Sequence, residues 1–195
     1  MRSAWKWLVG DWHWPAAALF AAGALIALFP LLAGVAGLPL AVVFLQLPLY
    51  MLHPWEEHAG DRFRWYVNRV VGGGREVLTP ATTFWINALG VWGVDLAALY
   101  AAWLAGPPAG LAAGYLAVVN ALLHLGPAIR RREYNPGLVT ALVLLLPGGS
   151  WCVAVAGGTA GWPAHAAGLA VAVALHLAIV AHVVRRLARR VSSVA

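Results

Sequence analysis

The stretch LYMLHPWEEHAGDRF, residues 49–63, ends a long apolar run and places two histidines and two adjacent glutamates within six residues, His53 to His58. The run covers about residues 38–55, and an apolar segment of about 20 residues is the length that a helix needs to cross a lipid bilayer. An ionisable group at the end of such a segment is costly and usually marks a functional site or a buried polar network. The stretch therefore predicts a membrane-spanning helix with a titratable cluster near one face.

The composition of the whole chain indicates that it folds in lipid. Apolar residues make up 62% of the 195 residues, charged residues make up 10%, and there are 11 tryptophans. Soluble domains carry about 25% charged residues. No strand-like alternation of apolar and polar residues is visible, and in lipid the backbone groups of a segment must be hydrogen-bonded internally. We therefore predict an all-α fold, a polytopic membrane helix bundle.

Six apolar stretches are long enough to be transmembrane helices. They cover about residues 15–34, 38–55, 81–105, 108–126, 137–156 and 163–184. The segment between spans two and three, residues 56–80, has room for a short interfacial helix. No repeat of fixed period and no long linker divides the chain, so residues 1–195 are expected to form a single transmembrane helical domain.

The basic residues predict the orientation of the bundle. All thirteen lie in the N-terminus, the 56–80 segment, the 127–136 segment or the C-terminal tail, and the opposite connections contain none. Cytoplasmic loops carry such an excess of Lys and Arg. We therefore expect an integral protein of the plasma (inner) membrane with both termini in the cytoplasm.

The same charge distribution bears on partners. Because the basic residues serve as topology determinants, the net charge of +6 requires no nucleic-acid partner. The expected partner is the lipid bilayer, and the basic clusters at residues 130–133 and 185–190 can attract anionic lipid head groups. The oligomeric state stays open at this point.

The proline after His53 allows two local geometries. Pro54 either kinks a helix that continues, which stacks His53 with Glu56 and Glu57 at i+3 and i+4, or starts a new interfacial helix with both glutamates in its first turn. His53 lies about 22 Å along the axis from Leu38, inside the cytoplasmic edge of the apolar layer. Both geometries keep the imidazole near a carboxylate.

A second ionisable side chain is expected at the same depth. Span four also runs inward and ends in NALLHLGP, so Asn120 and His124 share a face at i and i+4. Beyond the basic loop, YNPG at residues 134–137 turns the chain into span five and places the hydroxyl of Tyr134 at the interface.

These motifs resemble a known family. HPWEE at residues 53–57 is similar to an HxxEE motif, His124 to a further isolated histidine, and YNPG at residues 134–137 to a YxPG motif. Together they resemble the HXXEE family of small integral membrane proteins, over about residues 40–145. The resemblance implies which residues matter, but no reaction, since the function of the family is undetermined.

The residue types suggest a divalent metal. Histidine and carboxylate side chains from several segments can hold Zn, Fe or Mn, and a catalytic site keeps one position open for water. His53, His124 and one of Glu56 or Glu57 would supply three ligands, with His58 in reserve. The second glutamate would act as general base or as a partner that orients a metal ligand, and Tyr134 as proton donor. The spacing departs from the HxxEH motif of inverted zinc proteases and lacks the HxxHH boxes of membrane di-iron desaturases.

Three kinds of function fit these features. The first is a membrane-embedded metal-dependent enzyme, hydrolytic or oxidative, that acts on a lipid or other hydrophobic substrate near the cytoplasmic face. The second is a small proton-coupled transporter or carrier that uses Asp95, near the bilayer centre, and the His/Glu cluster. The third is a scaffold that only binds partner helices through its small residues. A purely structural role of the cluster, as helix caps and interhelical ties, is the alternative to all three.

Overall fold

The computed structural model describes residues 4–192 of the chain. These residues form helices joined by short turns, and no β-strand occurs among them. The predicted all-α membrane helix bundle is therefore confirmed. Arg2, one of the basic residues that predicts the orientation, lies outside the described residues.

Within residues 4–192, eight main helices follow a short N-terminal helical turn. They are α1 (Trp14–Ala27), α2 (Phe29–Ala36), α3 (Leu38–His58), α4 (Arg62–Val70), α5 (Pro80–Ala105), α6 (Leu111–Arg131), α7 (Leu138–Gly157) and α8 (Trp162–Ser192). In the described part of the chain, five helical segments are long and apolar enough to cross a membrane, and α1 with α2, bent by 42°, makes a sixth if the pair counts as one span. The expected six spans thus correspond to five continuous helical segments and one broken one.

The break between α1 and α2 has a local cause. Pro30 stands in the first turn of α2, and a proline inside a helix removes one backbone hydrogen bond and clashes with the carbonyl of the preceding turn. The helix therefore ends at Ala27 and restarts at Phe29, where the pattern of the sequence predicts one continuous span.

Helix α3 lies at the centre of the bundle and packs against α1, α5, α6 and α7. It continues through Pro54 to His58, so the first of the two geometries considered for Pro54 is the observed one. A proline at position 54 leaves the carbonyl of Tyr50 without its usual helical donor. The indole Nε1 of Trp92, on α5, donates to that carbonyl at 3.3 Å, which allows the helix to continue in an apolar environment.

Glycines bring α6 and α7 into close contact. A Cβ atom on Gly149 would lie 2.7 Å from the carbonyl oxygen of Gly114 and 2.9 Å from Cβ of Ala117. Small residues at membrane helix interfaces permit this close approach of two backbones. The contact fixes α7, and with it the turn at residues 134–137, relative to α6.

Helix α4 is the short helix expected between spans two and three. Its apolar side chains recur at Phe63, Tyr66, Val67 and Val70, which is the period of one helical face. Val67 belongs to a small core cluster with Val183 of α8. The α4 helix therefore covers the end of the bundle at which the basic segments of the chain meet.

Candidate metal centre

Three titratable side chains converge between α3 and α6. His53 and Glu57 are one turn apart on α3, with Nε2 and Oε2 separated by 3.4 Å, and Nε2 of His124 on α6 lies 3.6 Å from Oε1 of Glu57. All three residues are buried. One ligand atom from each lies within 4.8 Å of the other two. Since metal–ligand bonds measure about 2 Å, this group could hold one metal ion.

Gly137 permits the two imidazole rings to approach each other. It has a φ of +96°, and a Cβ atom there would lie 2.7 Å from Cε1 of His124 and 2.8 Å from Cε1 of His53. The rings meet edge to face with centroids 5.1 Å apart. The glycine of the YNPG turn is therefore required twice, for the left-handed backbone and for the space over both rings.

Asn135 determines which ring nitrogen of His124 carries the hydrogen. Its Nδ2 donates to the backbone carbonyl of His124 at 2.9 Å, and this bond places its Oδ1 2.7 Å from Nδ1 of the same residue. An amide oxygen accepts hydrogen bonds only, so Nδ1 of His124 is the donor. In the neutral ring, Nε2 then keeps a lone pair that points toward Glu57.

Thr140 determines which ring nitrogen of His53 carries the hydrogen. The Thr140 hydroxyl donates to Oε2 of Glu56 at 2.6 Å, and its oxygen lies 2.7 Å from Nδ1 of His53. Because the single hydroxyl hydrogen is used on the carboxylate, the threonine oxygen accepts from Nδ1–H. Metal-binding histidines commonly donate their second ring N–H in this way, which fixes both the tautomer and the ring orientation.

The Nε2 atom of His53 also meets an amide. Nδ2 of Asn120 lies 3.3 Å from it, while Oδ1 of Asn120 lies 3.4 Å from Nε2 of His176 on α8. An amide N–H beside Nε2 of His53 is consistent with a lone pair on that nitrogen. The polar layer thus extends from α3 through α6 to α8.

Glu56 faces away from the three-residue group. Its carboxylate accepts hydrogen bonds from the Tyr134 hydroxyl, from the backbone N–H of Val139, and from both the N–H and the hydroxyl of Thr140, at 2.6 to 3.1 Å. It therefore holds the first turn of α7. Of the two glutamates expected as the possible third ligand, Glu57 is the one whose carboxylate lies between the histidines.

Tyr134 lies in the loop between the spans of α6 and α7 and is half exposed. Partial burial, with the hydrogen bond to Glu56 and the charge of that carboxylate, raises the pKa of Tyr134 from 10.0 to about 12. Its hydroxyl therefore stays protonated and donates to Glu56. The structure places Tyr134 in the Glu56 network rather than against His53 or His124, and its expected role as proton donor in a reaction stays a prediction.

His58 contacts Glu57 but is not part of the three-residue group. Its Nε2 lies 2.9 Å from Oε2 of Glu57 and 2.9 Å from Nδ2 of Asn87 on α5. The set whose ligand atoms converge consists of His53, Glu57 and His124. His58 therefore orients the carboxylate of Glu57 in this structure, and its expected role as a reserve ligand stays a prediction.

A cavity of about 840 Å³ opens beside the centre. His53, Glu57 and His124 contribute to its wall, and apolar side chains of α4, α5, α6 and α8 form most of the remainder. Its size falls in the range of pockets that bind small organic molecules, roughly 300–1,000 Å³. The buried carboxylate and imidazoles are therefore accessible to a largely apolar ligand.

Comparison with known proteins agrees with the motifs. A family model described as a protein of unknown function with an HXXEE motif matches residues 44–152. No curated protein matches the chain, and no solved structure does. The matched segment contains His53, Glu56, Glu57, His124 and the YNPG turn, that is, the converging group and the residues that orient it. The chain belongs to the HXXEE family.

Proposed function

We propose that this protein is a membrane-embedded, metal-dependent enzyme that acts on a lipid or other hydrophobic substrate. The observation that supports the proposal best is the direction of the two imidazoles. Each donates Nδ1–H to a fixed acceptor, Thr140 or Asn135, and each directs Nε2 to the carboxylate of Glu57. In the neutral rings, these two Nε2 atoms carry the lone pairs that a metal ion would bind, and the carboxylate of Glu57 lies beside both.

The donor set limits the chemistry. Two histidines and one carboxylate are the ligands of hydrolytic zinc sites and of mononuclear iron oxygenases, so Zn, Fe or Mn would fit. A bound divalent ion would supply Lewis-acid polarisation or a water of lowered pKa. His53, Glu57 and His124 would hold it, His58 would orient Glu57, and Glu56 would position His53 through Thr140. We favour hydrolysis over oxidation of the substrate, since it requires no further cofactor.

The proposed location is the cytoplasmic side of the inner membrane. Helix α4 contacts the loop after α6 through an ion pair of Arg69 with Glu133 at 2.6 Å. It contacts the C-terminal part of α8 through Val67 and Val183. Three basic segments thus gather at one end of the bundle, next to the His/Glu group. Under the positive-inside rule that end faces the cytoplasm, which supports cytoplasmic termini.

The decisive experiment is metal analysis of the purified full chain. We expect about one equivalent of a transition metal in the wild type and its loss in both His53→Ala and His124→Ala. His182→Ala is the matched control, because His182 is exposed on α8 and lies outside the converging group. Wild-type protein that stays free of metal after incubation with Zn, Fe and Mn salts would overturn the proposal.

A proton-coupled carrier is the second candidate, and one observation favours it. Asp95 on α5 is 1% exposed, and neither of its carboxyl oxygens has a hydrogen-bond partner. Ionisable groups in such positions often form proton relays in membrane proteins. If the protein is a carrier, Asp95→Asn abolishes substrate-dependent proton uptake in vesicles and leaves the metal content unchanged. If the protein is instead a metal-dependent enzyme, its activity is lost in His53→Ala and kept in Asp95→Asn.

A further inference from the structure

Two arginines lie at the edge of the cavity beside the metal centre. Arg130 and Arg131, at the end of α6, contribute to its wall, and both are exposed. They are the only basic residues among the described side chains that line it. Apolar side chains form most of the remaining wall. They include Phe63, Val67, Leu123, Ile179, Val180 and Val183.

Neither arginine has an acidic partner among residues 4–192. The acidic groups nearby are already engaged. Glu57 contacts three histidines, Glu56 accepts four hydrogen bonds, and Glu133 pairs with Arg69. Asp61 and Glu76 both pair with Arg64. Two guanidinium groups are therefore available to an anion at the edge of a largely apolar cavity.

The spacing along α6 relates this anion position to the candidate metal centre. His124 and Arg131 are seven residues apart on one helix, which puts them on one face, two turns or about 10 Å apart along the axis. A ligand that engages both ends therefore extends along about two turns of α6. The wall of the cavity that holds it is largely apolar.

Helices α6 and α8 both contribute to the cavity wall. These helices touch near their starts, where Gly168 approaches Leu111, and again at Asn120 and His176. Beyond that point both helices line the cavity, and Leu123 and Val180 in its wall are both exposed. Exposed apolar side chains at this position face the lipid in a membrane-spanning bundle, so an acyl chain can enter from the bilayer.

We infer that the cavity binds an anionic lipid, with its charged head group on Arg130 and Arg131 and its acyl region along α6 and α8 toward His53, Glu57 and His124. The inference rests on the proposed function in one respect, because it names the substrate class of that site. The bond that reacts then lies in the acyl or linker region of the lipid and not at the charged head group. A free anion such as phosphate lacks the apolar part and would occupy only the edge.

The test measures lipid binding to the purified full chain in neutral detergent by native mass spectrometry. The probes are dioleoyl phosphatidylglycerol, dioleoyl phosphatidylcholine, oleate and inorganic phosphate. We expect phosphatidylglycerol and oleate to bind more tightly than phosphatidylcholine, and phosphate to bind weakly. The double variant Arg130→Gln/Arg131→Gln should weaken phosphatidylglycerol roughly ten-fold or more, the scale of charge-assisted hydrogen bonds. Arg132→Gln is the matched control, because Arg132 belongs to the same cluster and does not line the cavity.

A second pair of variants tests the apolar part. Val180→Trp fills part of the cavity and should weaken all the lipid probes, whereas Val173→Trp, two turns earlier on α8 and outside the cavity wall, should leave binding unchanged. Equal losses in the control and test variants, or phosphate that binds as well as phosphatidylglycerol, would overturn the inference.

Failure of this inference and failure of the proposed function give different results. His53→Ala should lose the metal and keep lipid binding, while the double variant Arg130→Gln/Arg131→Gln should keep the metal and bind phosphatidylglycerol more weakly. Specific lipid binding in a chain that never takes up metal would refute the enzyme and leave the lipid site standing. Metal uptake together with lipid binding that ignores Arg130 and Arg131 would refute the lipid site alone.

Discussion

The hydroxyl of Thr140 lies 2.7 Å from Nδ1 of His53 and donates its hydrogen to Glu56. Replacing Thr140 should therefore disturb His53, a proposed metal ligand, although Thr140 itself is not one of the proposed ligands. We expect Thr140→Val to lower metal affinity about 10- to 100-fold, the usual effect of removing a group that orients a metal-binding histidine. Metal titration of the purified protein, with a competing chelator, measures the change.

Thr140→Ser is the control, because serine keeps the hydroxyl and should restore affinity close to that of the wild type. A loss in the serine variant equal to that in the valine variant would show that packing at position 140, and not the hydrogen bond to His53, is what matters.

Gly137→Ala should damage the centre more than an ordinary glycine substitution. Its φ of +96° makes any side chain unfavourable, by about 1–2 kcal/mol, and the new Cβ would also meet both imidazole rings at 2.7 and 2.8 Å. Gly60→Ala offers a matched comparison, because Gly60 also has a left-handed backbone, with a φ of +68° and a ψ of +24°, and a Cβ atom there would meet nothing within 4 Å.

Both variants are expected to lower thermal stability by a similar backbone contribution, and only Gly137→Ala should also lose metal. Thermal unfolding in detergent, read beside metal content, separates the two effects. Equal metal retention in both variants would contradict the close packing of Gly137 on the rings.

Tyr134 gives a pH dependence with a defined sign. Its pKa is raised from 10.0 to about 12 by partial burial and by Glu56. A raised pKa in the folded state means that the protonated phenol is favoured there, so its contribution to stability is complete below about pH 10 and is lost as the pH rises through about 12. The difference in near-ultraviolet absorbance between the wild type and Tyr134→Phe should show tyrosinate forming near pH 12. A transition near pH 10 would mean that the hydrogen bond to Glu56 does not persist in solution.

The fold and the converging residues were largely predictable because they depend on regular spacing. Apolar length predicts the helices, and the i, i+4 spacing places Glu57 beside His53 because the helix continues past Pro54. The equal depth of His53 and His124 follows from counting residues along two inward-running helices. The helix break near Pro30 was missed, since the apolar run continues through it without any change in composition.

The residues that orient the site were not predicted, because each acts through a contact distant in sequence. Thr140 touches His53 from 87 positions away, and Asn135 reaches His124 across the basic turn. Asn135 does stand in the unspecified second position of the YNPG motif, where an amide could have been noted. Thr140 is an ordinary threonine in the first turn of a span, and no local pattern distinguishes it. The different contacts of Glu56 and Glu57 likewise depend on where α7 begins, because Glu56 accepts hydrogen bonds from the first turn of that helix.

The orientation of the bundle can be tested with single cysteines, since the one native cysteine, Cys152, is buried and has no disulfide partner. In a Cys152→Ala background, Gly73→Cys introduces a thiol in the exposed turn after α4, and Thr159→Cys introduces one in the exposed turn between α7 and α8. If the basic end faces the cytoplasm, a membrane-impermeant maleimide added to intact cells should label Thr159→Cys and not Gly73→Cys. Permeabilised cells should label both. Labelling of Gly73→Cys alone in intact cells would invert the topology and move the His/Glu centre, with its lipid-facing cavity, to the outer leaflet.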